Sequence, residues 1–280
     1  MLRNPLRRNA RLRRARLLTL ERPVFVVGCG RSGTTALGRL LEHHRRLAYL
    51  NEPRDIWASE PRTDVWSDQA RSRGGRLELT ADDLTAAAGE RIRRLFATEV
   101  RRQGAARLVE KLPVNSFRVD YLDALCGDCL IVHLVRDGHA VARSIAARAA
   151  DGHWFGHDGY KWGLLADLAR ARGLAASVDS CNDDFDRGLL EWRLAVTSAR
   201  SALARLPARR GLELRYEQLV ADPPVALERL LAFIDVEQDP SLRDRAAAEI
   251  TATPPRIPSA DERRAAHAVA GDLLEALGYG

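Results

Sequence analysis

Short apolar runs alternate with longer amphipathic segments along most of the chain. Five of these runs predict buried β-strands because they are rich in Val, Leu and Ile: VFVVG at 24–28, RLAYL at 46–50, RLVEK at 107–111, LIVHLV at 130–135 and LELRY at 212–216. Apolar residues at helical spacing predict helices over 32–44, 81–103, 138–149, 224–234 and 260–277, with a further long helix centred on Trp192. Strands that alternate with helices indicate an α/β fold with a single doubly wound parallel sheet, which binds ligands at the carboxyl ends of its strands.

Two stretches interrupt this pattern, and both contain several aromatic residues. Residues 53–80 are polar and broken by Pro61 and Gly74-Gly75, which predicts a loop-rich insertion. Residues 151–163 are dense in Gly, His and aromatic residues and predict a surface loop. Six aromatic side chains in these stretches either cover the core or form a site for an apolar or ring-bearing acceptor molecule: Trp57, Trp66, Trp154, Phe155, Tyr160 and Trp162.

Length and charge indicate one domain that binds anions. The 280 residues suffice for a single α/β domain over residues 23–280, preceded by a basic arm, 1–22, that contains eight arginines. The arm is either a solvated extension or a contact for anionic lipid at a membrane surface or for nucleic acid, and no specific nucleic-acid partner is expected. The net charge of +6 suits anionic ligands. Of the 44 basic residues only Lys111 and Lys161 are lysines, which indicates a need for a compact charge there.

The lack of a targeting signal and the small number of cysteines predict an intracellular protein. No apolar run approaches the roughly 18 residues of a membrane span, and the arginine-rich start lacks the apolar core of a signal peptide. We therefore expect a cytoplasmic protein with reduced thiols. Cys126-Gly-Asp-Cys129 has the spacing of a redox or zinc pair, but no second pair completes a metal site, so we predict a structural turn.

The stretch VFVVGCGRSGTT satisfies two phosphate-binding patterns. Its glycines match the dinucleotide fingerprint G-x-G-x-x-G: Gly28, Gly30 and Gly33. Glu52 lies at the end of the next predicted strand, where a ribose-binding acid belongs, so an NAD(P)-dependent oxidoreductase is an alternative. The stretch also fits the frame of a nucleotide triphosphatase loop, but Thr34 stands where that loop needs its lysine.

A third interpretation keeps the loop and changes the phosphate. Backbone N–H groups at the start of a helix, with the hydroxyls of Ser32, Thr34 and Thr35, suit one compact phosphate group. Arg31 can add a guanidinium fork to the oxygens of that group. A metal is dispensable when the transferred group carries less charge than a phosphoryl group, and a sulfuryl group meets this condition.

The loop resembles the 5′-phosphosulfate-binding loop of sulfotransferases that use 3′-phosphoadenosine 5′-phosphosulfate (PAPS), particularly the bacterial type with Arg-Ser-Gly-Thr-Thr. LIVHLVRDGHAVARS is similar to the family's 3′-phosphate motif, with Arg136 and Ser144 at its arginine and serine positions. Two further segments resemble the strand–Lys–x–Pro–x–Asn segment and the late Tyr-Glu-x-Leu…Asp-Pro block: LVEKLPVNSFRVDYL and LRYEQLVADPPVALERLLAFIDV. The four motifs occur in the family's order and cover most of the chain.

The resemblance implies a P-loop-NTPase-like sulfotransferase fold and transfer of a sulfuryl group from PAPS to a hydroxyl or amine of a small-molecule, glycan or lipid acceptor. The nucleotide product PAP would be released, and no metal would be required. The resemblance assigns the 5′ side of the donor to six loop residues: Gly30, Arg31, Ser32, Gly33, Thr34 and Thr35. It assigns the 3′-phosphate to Arg136 and Ser144. Tyr216 matches a position near adenine in some relatives, and a core tyrosine would fit the same pattern.

The resemblance also implies catalytic roles for Glu52, Lys111 and Arg31. Tyrosylprotein and several bacterial sulfotransferases carry a catalytic glutamate at the position of Glu52, which implies a general base. The alternative is a structural role for Glu52, which would pair with Arg54 or cap the turn that follows. Lys111 is either a second cation near the sulfuryl group or an exposed lysine at a strand end. Arg31 would contact the leaving phosphate.

Two histidines of the aromatic loop are the alternative bases, His153 and His157. The chain departs from the family at Cys29, where proline is common, and it lacks the C-terminal Arg-Lys-Gly element of cytosolic members. Besides the oxidoreductase, the remaining rival function is that of a non-catalytic nucleotide-binding or nucleic-acid-associated protein that uses the basic arm.

Overall fold

A sheet of five parallel strands lies at the centre of the computed structural model, which describes residues 20–152, 154–156, 158–250 and 256–280. The strands, numbered in chain order, are β1 Val24–Val27, β2 Leu47–Asn51, β3 Arg107–Lys111, β4 Leu130–Val135 and β5 Gly211–Arg215. Their order across the sheet is β2-β3-β1-β4-β5. The chain builds one half of the sheet on each side of β1, which confirms the predicted doubly wound parallel sheet.

Helices cover both faces of this sheet. In the described residues the α-helices, numbered α1 to α12 in chain order, are Thr34–Glu42, Arg54–Trp57, Ala86–Arg102, Val119–Cys126, Gly138–Ala149, Tyr160–Ala171, Ala175–Asp179, Asp184–Arg205, Tyr216–Ala221, Pro223–Phe233, Pro240–Glu249 and Ala260–Ala276. Short 3₁₀ helices span Pro61–Thr63, Ala81–Asp83, Pro113–Phe117 and Ala208–Arg210. Within this part of the chain, no helix has the length and apolar character needed to cross a membrane.

The central strand β1 is buried on both faces. Its four residues are fully buried, and it forms parallel ladders with β3 on one side and β4 on the other. Successive side chains point to opposite faces of a strand. Val26 accordingly shares an apolar cluster with Leu37 of α1, whereas the ring of Phe25 lies 6.5 Å from that of Phe96 of α3. The chain leaves this apolar environment only at the carboxyl end of β1, where residues 28–33 form a loop.

The predicted strands are confirmed, with bounds that shift by no more than one residue. The predicted helix 81–103 begins only at Ala86, because the Thr85 side chain caps α3 by accepting a hydrogen bond from the Ala88 N–H. The insertion 53–80 contains α2 and a 3₁₀ helix, and α6 already begins at Tyr160. Both aromatic stretches are therefore more regular than the loops that their composition predicts.

Trp57 belongs to the core, so the first of its two predicted roles, covering the core, is the one that the structure bears out. Its side chain is fully buried, and its ring lies 5.4 Å from that of Phe96 in an edge-to-face arrangement. The indole N–H donates to Glu110 at 2.7 Å. Burial raises the pKa of Glu110 to about 8, even though Trp57 and Asn115 both donate hydrogen bonds to it.

The cysteine pair forms a turn, in agreement with the sequence. Cys126 ends α4, Gly127 follows with a φ of 75°, and both Cys126 and Cys129 are free thiols. Burial raises the pKa of Cys129 to about 12, which leaves the thiol protonated and unreactive. No group of His, Cys, Asp and Glu residues that could hold a metal ion occurs in the described ranges.

The predicted basic arm falls mostly outside the described residues, which begin at Leu20. Its last residue, Arg22, is anchored on the domain. The guanidinium pairs with Asp235 at 2.7 Å, and the backbone N–H donates to the Asp128 carboxylate at 3.0 Å. The division of the chain at residue 22 stays a prediction.

One buried guanidinium ties the insertion to the rest of the domain. Arg118 is 1% exposed and precedes α4. It donates hydrogen bonds to three carbonyl groups of the insertion, those of Thr63, Arg76 and Leu77, at 2.9, 2.7 and 3.1 Å. Burial lowers the pKa of Arg118 to about 9, so the group keeps its charge at neutral pH. A single buried side chain thus joins three backbone positions of the insertion to the rest of the domain.

We expect Arg118→Met to lower the free energy of unfolding by about 2–4 kcal/mol, because buried carbonyl groups lose their donors. The measurement is urea unfolding followed by circular dichroism, with limited proteolysis to locate new cleavage within 58–80. Arg102→Met is the matched control. Arg102 is 68% exposed and pairs with Glu99 at the surface, so its loss should cost less than about 1 kcal/mol. Equal stability losses in the two variants would contradict the anchoring role.

Candidate active site

Hydrogen bonds hold the loop between β1 and α1 in shape. The Gly28 N–H donates to Ser116 Oγ at 2.8 Å, and the Ser32 N–H donates to the Cys29 carbonyl at 3.1 Å. The first bond connects the loop to the 3₁₀ helix that follows β3. The segment that follows β3 thus fixes the start of the loop for which the sequence predicts phosphate binding.

The start of α1 has a buried polar group that suits an anion. Ser32 is 1% exposed, and its Oγ has no hydrogen-bond partner within the described residues. Arg31 next to it adopts a left-handed φ of 74°, a conformation that costs energy in a residue with a Cβ. Buried hydroxyl groups are normally satisfied, and helix N-termini attract anions, so the loop fits a phosphate group.

Two glycines of the fingerprint make room for aromatic rings. A Cβ atom on Gly30 would lie 2.7 Å from the indole of Trp154, and one on Gly33 would lie 2.5 Å from the ring of Tyr216. In a dinucleotide fold the middle glycine lets a pyrophosphate approach the backbone. Here an indole takes that space, which argues against the oxidoreductase alternative.

The side chains predicted to bind the 3′-phosphate lie next to the loop. Arg31 Nε donates to Ser144 Oγ at 2.9 Å, and Arg136 Nη1 donates to the Arg31 carbonyl at 3.2 Å. The Arg136 guanidinium lies 4.2 Å from the centre of the Tyr216 ring. Neither guanidinium has a carboxylate within ion-pair distance in the described part of the chain. No acidic side chain of the described residues therefore neutralises the positive charge of these two arginines.

The two predicted catalytic residues Glu52 and Lys111 are in direct contact. The ladder between β2 and β3 pairs Asn51 with Lys111, which places Glu52 beside that lysine. Lys111 Nζ donates to Glu52 Oε1 at 2.7 Å, and Arg54 donates to Oε2 at 2.7 Å. The pairing with Arg54, considered as an alternative to a catalytic role, thus coexists with the contact to Lys111.

The interpretation of Lys111 as an exposed lysine is wrong, because the residue is 1% exposed. Burial lowers the pKa of Lys111, and the hydrogen bond and negative charge of Glu52 offset part of this decrease. Burial alone would raise the pKa of Glu52, but the hydrogen bonds and charges of Lys111 and Arg54 outweigh it and hold that pKa below its ordinary value. Glu52 is therefore a carboxylate at neutral pH.

A cavity of about 440 Å³ lies over these side chains. One part of its lining is charged: Arg31, Glu52, Arg54, Lys111, Arg148, Asp151, Lys161 and Glu191. Another part is apolar: Val65, Trp66, Leu77, Leu112, Val114, Phe117 and Trp154. Thr34 and Thr35 of the loop complete it, so the loop, the Glu52–Lys111 pair and an apolar wall share one space.

The predicted site residues divide into two groups around the loop. Glu52 and Lys111 line the cavity, whereas Arg136, Ser144 and Tyr216 lie together on the side of β4 and β5. Arg31 belongs to both groups, because it lines the cavity and contacts Ser144. The alternative bases, His153 and His157, lie outside the described residues.

Only some of the predicted aromatic residues face this cavity. Trp66 and Trp154 line the cavity. Phe155 is buried, and the ring of Trp162 packs against the ring of Phe155 with 6.0 Å between their centres. Tyr160 donates its hydroxyl to the Gly75 carbonyl at 2.7 Å. Of the six predicted aromatic residues, Trp66 and Trp154 are therefore the two that can contact a molecule in the cavity.

Sequence reasoning missed a second lysine–glutamate pair in the cavity. Lys161 Nζ donates to both oxygens of Glu191 at 2.7 and 2.9 Å, and the Trp154 indole N–H donates to the same carboxylate at 2.9 Å. The scarcity of lysine in the chain was the available signal for Lys161. Glu191 gave none, because it lies in a long amphipathic helix among many charged residues.

Comparisons with known proteins identify the family. The profile described as Sulfotransferase family matches residues 23–240. Over 218 residues, 77% of this chain, the sequence is 24% identical to protein-tyrosine sulfotransferase A of Caenorhabditis elegans, and the chain spans about half (50%) of that relative's length.

Solved structures support the fold. The sulfotransferase domain from the curacin biosynthetic pathway superimposes with a TM-score of 0.54 at 17% identity, covering 94% of this chain and 99% of that chain. The sulfotransferase from Alicyclobacillus acidocaldarius gives a TM-score of 0.52 at 17% identity, with coverage of 92% and 96%. These likenesses confirm the predicted fold, and the profile covers most of the sequence. The chain therefore belongs to the sulfotransferase family.

Proposed function

We propose that this protein transfers a sulfuryl group from PAPS to a hydroxyl or amine group and releases PAP. The observation that carries the proposal is the distribution of cations around one loop. Arg31 and Arg136 lack carboxylate partners among the described residues, and Lys111 is held in the adjoining cavity by Glu52. Such an arrangement suits a donor with an anionic group at each end.

The loop would bind the 5′ side of the donor. Its backbone N–H groups lie at the N-terminus of α1, and the unpartnered Ser32 hydroxyl can donate to a phosphate oxygen. Thr34 and Thr35 add hydroxyl groups, and the lack of a side chain at Gly30 and Gly33 leaves room for the rings of Trp154 and Tyr216 beside the loop. The Arg31 guanidinium would neutralise charge that grows on the leaving phosphate.

The 3′-phosphate would bind to Arg136 and Ser144, with Tyr216 beside the adenine. Arg136 lies against the Tyr216 ring, so a single patch offers a cation and an aromatic face. Ser144 lies in the second turn of α5. Its hydroxyl contacts Arg31, which links the two phosphate sites through one hydrogen bond.

Transfer would proceed by in-line attack of the acceptor on sulfur. The acceptor oxygen or nitrogen forms a bond to sulfur while the bond from sulfur to the bridging phosphate oxygen breaks, and that oxygen keeps the electron pair. The acceptor proton goes to the Glu52 carboxylate. Lys111 and Arg31 neutralise the charge on the transferred group and on PAP, so we propose that no metal is required.

The acceptor would be a small molecule, or the end of a glycan or lipid, that the cavity can enclose. Cavities that bind small molecules commonly measure roughly 300–1,000 Å³, and this one has about 440 Å³ and an apolar wall that contains Trp66. We propose a cytoplasmic enzyme whose arm, residues 1–22, makes peripheral contact with anionic lipid when the acceptor is a lipid.

Arg136→Ala should weaken PAP binding about 10- to 100-fold, because a charged hydrogen bond contributes about 1.5–3 kcal/mol. The measurement is the dissociation constant from titration calorimetry, supported by the rise of the thermal midpoint with PAP. Arg205→Ala is the matched control, since it removes one positive charge from an exposed pair with Asp120. Equal affinities in the two variants would count against the 3′-phosphate assignment.

Glu52→Gln should bind PAP as the unaltered protein does but lose about 100-fold or more of its transfer rate, since it cannot accept the acceptor proton. Product is measured with the best acceptor from a panel of phenols, primary alcohols and amines. Glu42→Gln, an exposed residue of α1, is the control. A fully active Glu52→Gln variant would remove Glu52 as the base and leave the family assignment intact.

The pH dependence of kcat/KM separates a glutamate base from a histidine base. Only the ionised carboxylate accepts a proton, and the pKa of Glu52 is lowered from its ordinary value of 4.5, so activity should persist as the pH falls from 7 to about 5. A histidine base would lose activity as the pH falls through about 6.5. Circular dichroism at each pH shows that the fold is retained.

Lys111→Met should move the acid limb of this profile to higher pH. The variant removes the ammonium group that lowers the pKa of Glu52, so the carboxylate would protonate earlier on acidification. An unchanged limb would mean that the profile reports another group.

A further inference from the structure

The second lysine of the chain has no part in the proposed transfer, although it lines the same cavity. The side chains of Lys161 and Glu191 are 16% and 7% exposed, and they connect α6 to α8. Removing two charges from water is costly unless each finds a partner. The pair must therefore have a structural or functional reason to lie at this place.

The Lys161–Glu191 pair holds the indole of Trp154. Three hydrogen bonds reach the Glu191 carboxylate, two from Lys161 and one from the Trp154 N–H. The Lys161 ammonium also lies 4.6 Å from the centre of the indole ring. The ring is thus fixed through both its N–H group and its face, and Glu191 belongs to the long helix α8.

The fixed indole covers the loop that binds the donor. Its outer ring atoms lie so close to Gly30 that a Cβ there would be 2.7 Å from them. Gly30 precedes Arg31, the residue assigned to the leaving phosphate. The indole therefore occupies space that water would otherwise fill beside the reacting end of the loop.

We propose that the Trp154 indole, held by Glu191 and Lys161, shields the bound sulfuryl group from water and so directs it to the acceptor. This inference rests on the proposed PAPS-dependent transfer. In the competing reaction the oxygen of water bonds to sulfur, the bond from sulfur to the bridging phosphate oxygen breaks with its electron pair, and a proton leaves the water. The products are sulfate and PAP. Exclusion of water suppresses this loss of donor.

The test is the release of PAP from PAPS without an acceptor. Trp154→Phe removes the N–H group that reaches Glu191 and the outer ring atoms next to Gly30, so we expect this release to become about tenfold faster. Glu191→Gln keeps the shape but weakens the hold on the indole, and it should raise the rate to a smaller extent.

Trp162→Phe is the matched control, because Trp162 lies in the same segment but packs against Phe155 and Arg187 outside the cavity. Its release rate should equal that of the unaltered protein. PAP affinity and the thermal midpoint, measured for every variant, detect a purely structural effect, since misfolding lowers both and cannot raise hydrolysis.

Two results would overturn the shielding role. One is an unchanged release rate in Trp154→Phe with PAP affinity intact. The other is a loss of PAP affinity in that variant, which would make the indole part of the donor site. Failure of the unaltered protein to bind PAP is a separate outcome, because it would refute the proposed function and the inference together.

Discussion

Parallel strands all end at the same edge of a sheet, and this constraint decides where the ionisable groups of the protein meet. The ladder between β2 and β3 pairs Asn51 with Lys111, so the next residue, Glu52, comes within 2.7 Å of the Lys111 ammonium. The loop after β1 lies at this edge, and β4 delivers Arg136 next to it. Segments that are far apart in sequence thus place their charges around one loop without any contribution from a second domain.

The cations at this edge fall into two classes that differ in their partners. Lys111 is buried, Lys161 is partly buried, and each is paired with a carboxylate, so their positions are fixed before any ligand binds. Arg31 and Arg136 contact a hydroxyl, a carbonyl and a ring, and no acid neutralises them in the described ranges. The positive charge of the arginines therefore stays available for an anionic ligand, whereas each lysine holds a carboxylate in place.

The sequence predicts those parts of the site that adjoin a strand. Arg31, Glu52, Lys111 and Arg136 each lie within a few residues of an apolar run, and the sheet alone brings them together. For Trp57 the sequence leaves a core position and a ligand-binding position open, because its polar neighbours hide the packing of its short helix on Phe96. The contact of Trp154 with Glu191 could not be predicted, since it depends on how α8 packs across the chain and no local pattern encodes that packing.

Arg118 attaches to the domain a segment that forms part of the cavity wall but contributes no strand to the sheet. The insertion contributes Val65, Trp66 and Leu77 to the cavity wall, whereas the loop after β1 and the Glu52–Lys111 pair lie at the carboxyl ends of the strands. The insertion meets Arg118 through backbone carbonyl groups, which every amino acid possesses. This part of the attachment therefore tolerates changes of sequence in the insertion, whereas a segment that replaced it would still need side chains that take over the contacts of Trp57, Arg71 and Glu78 with the rest of the domain.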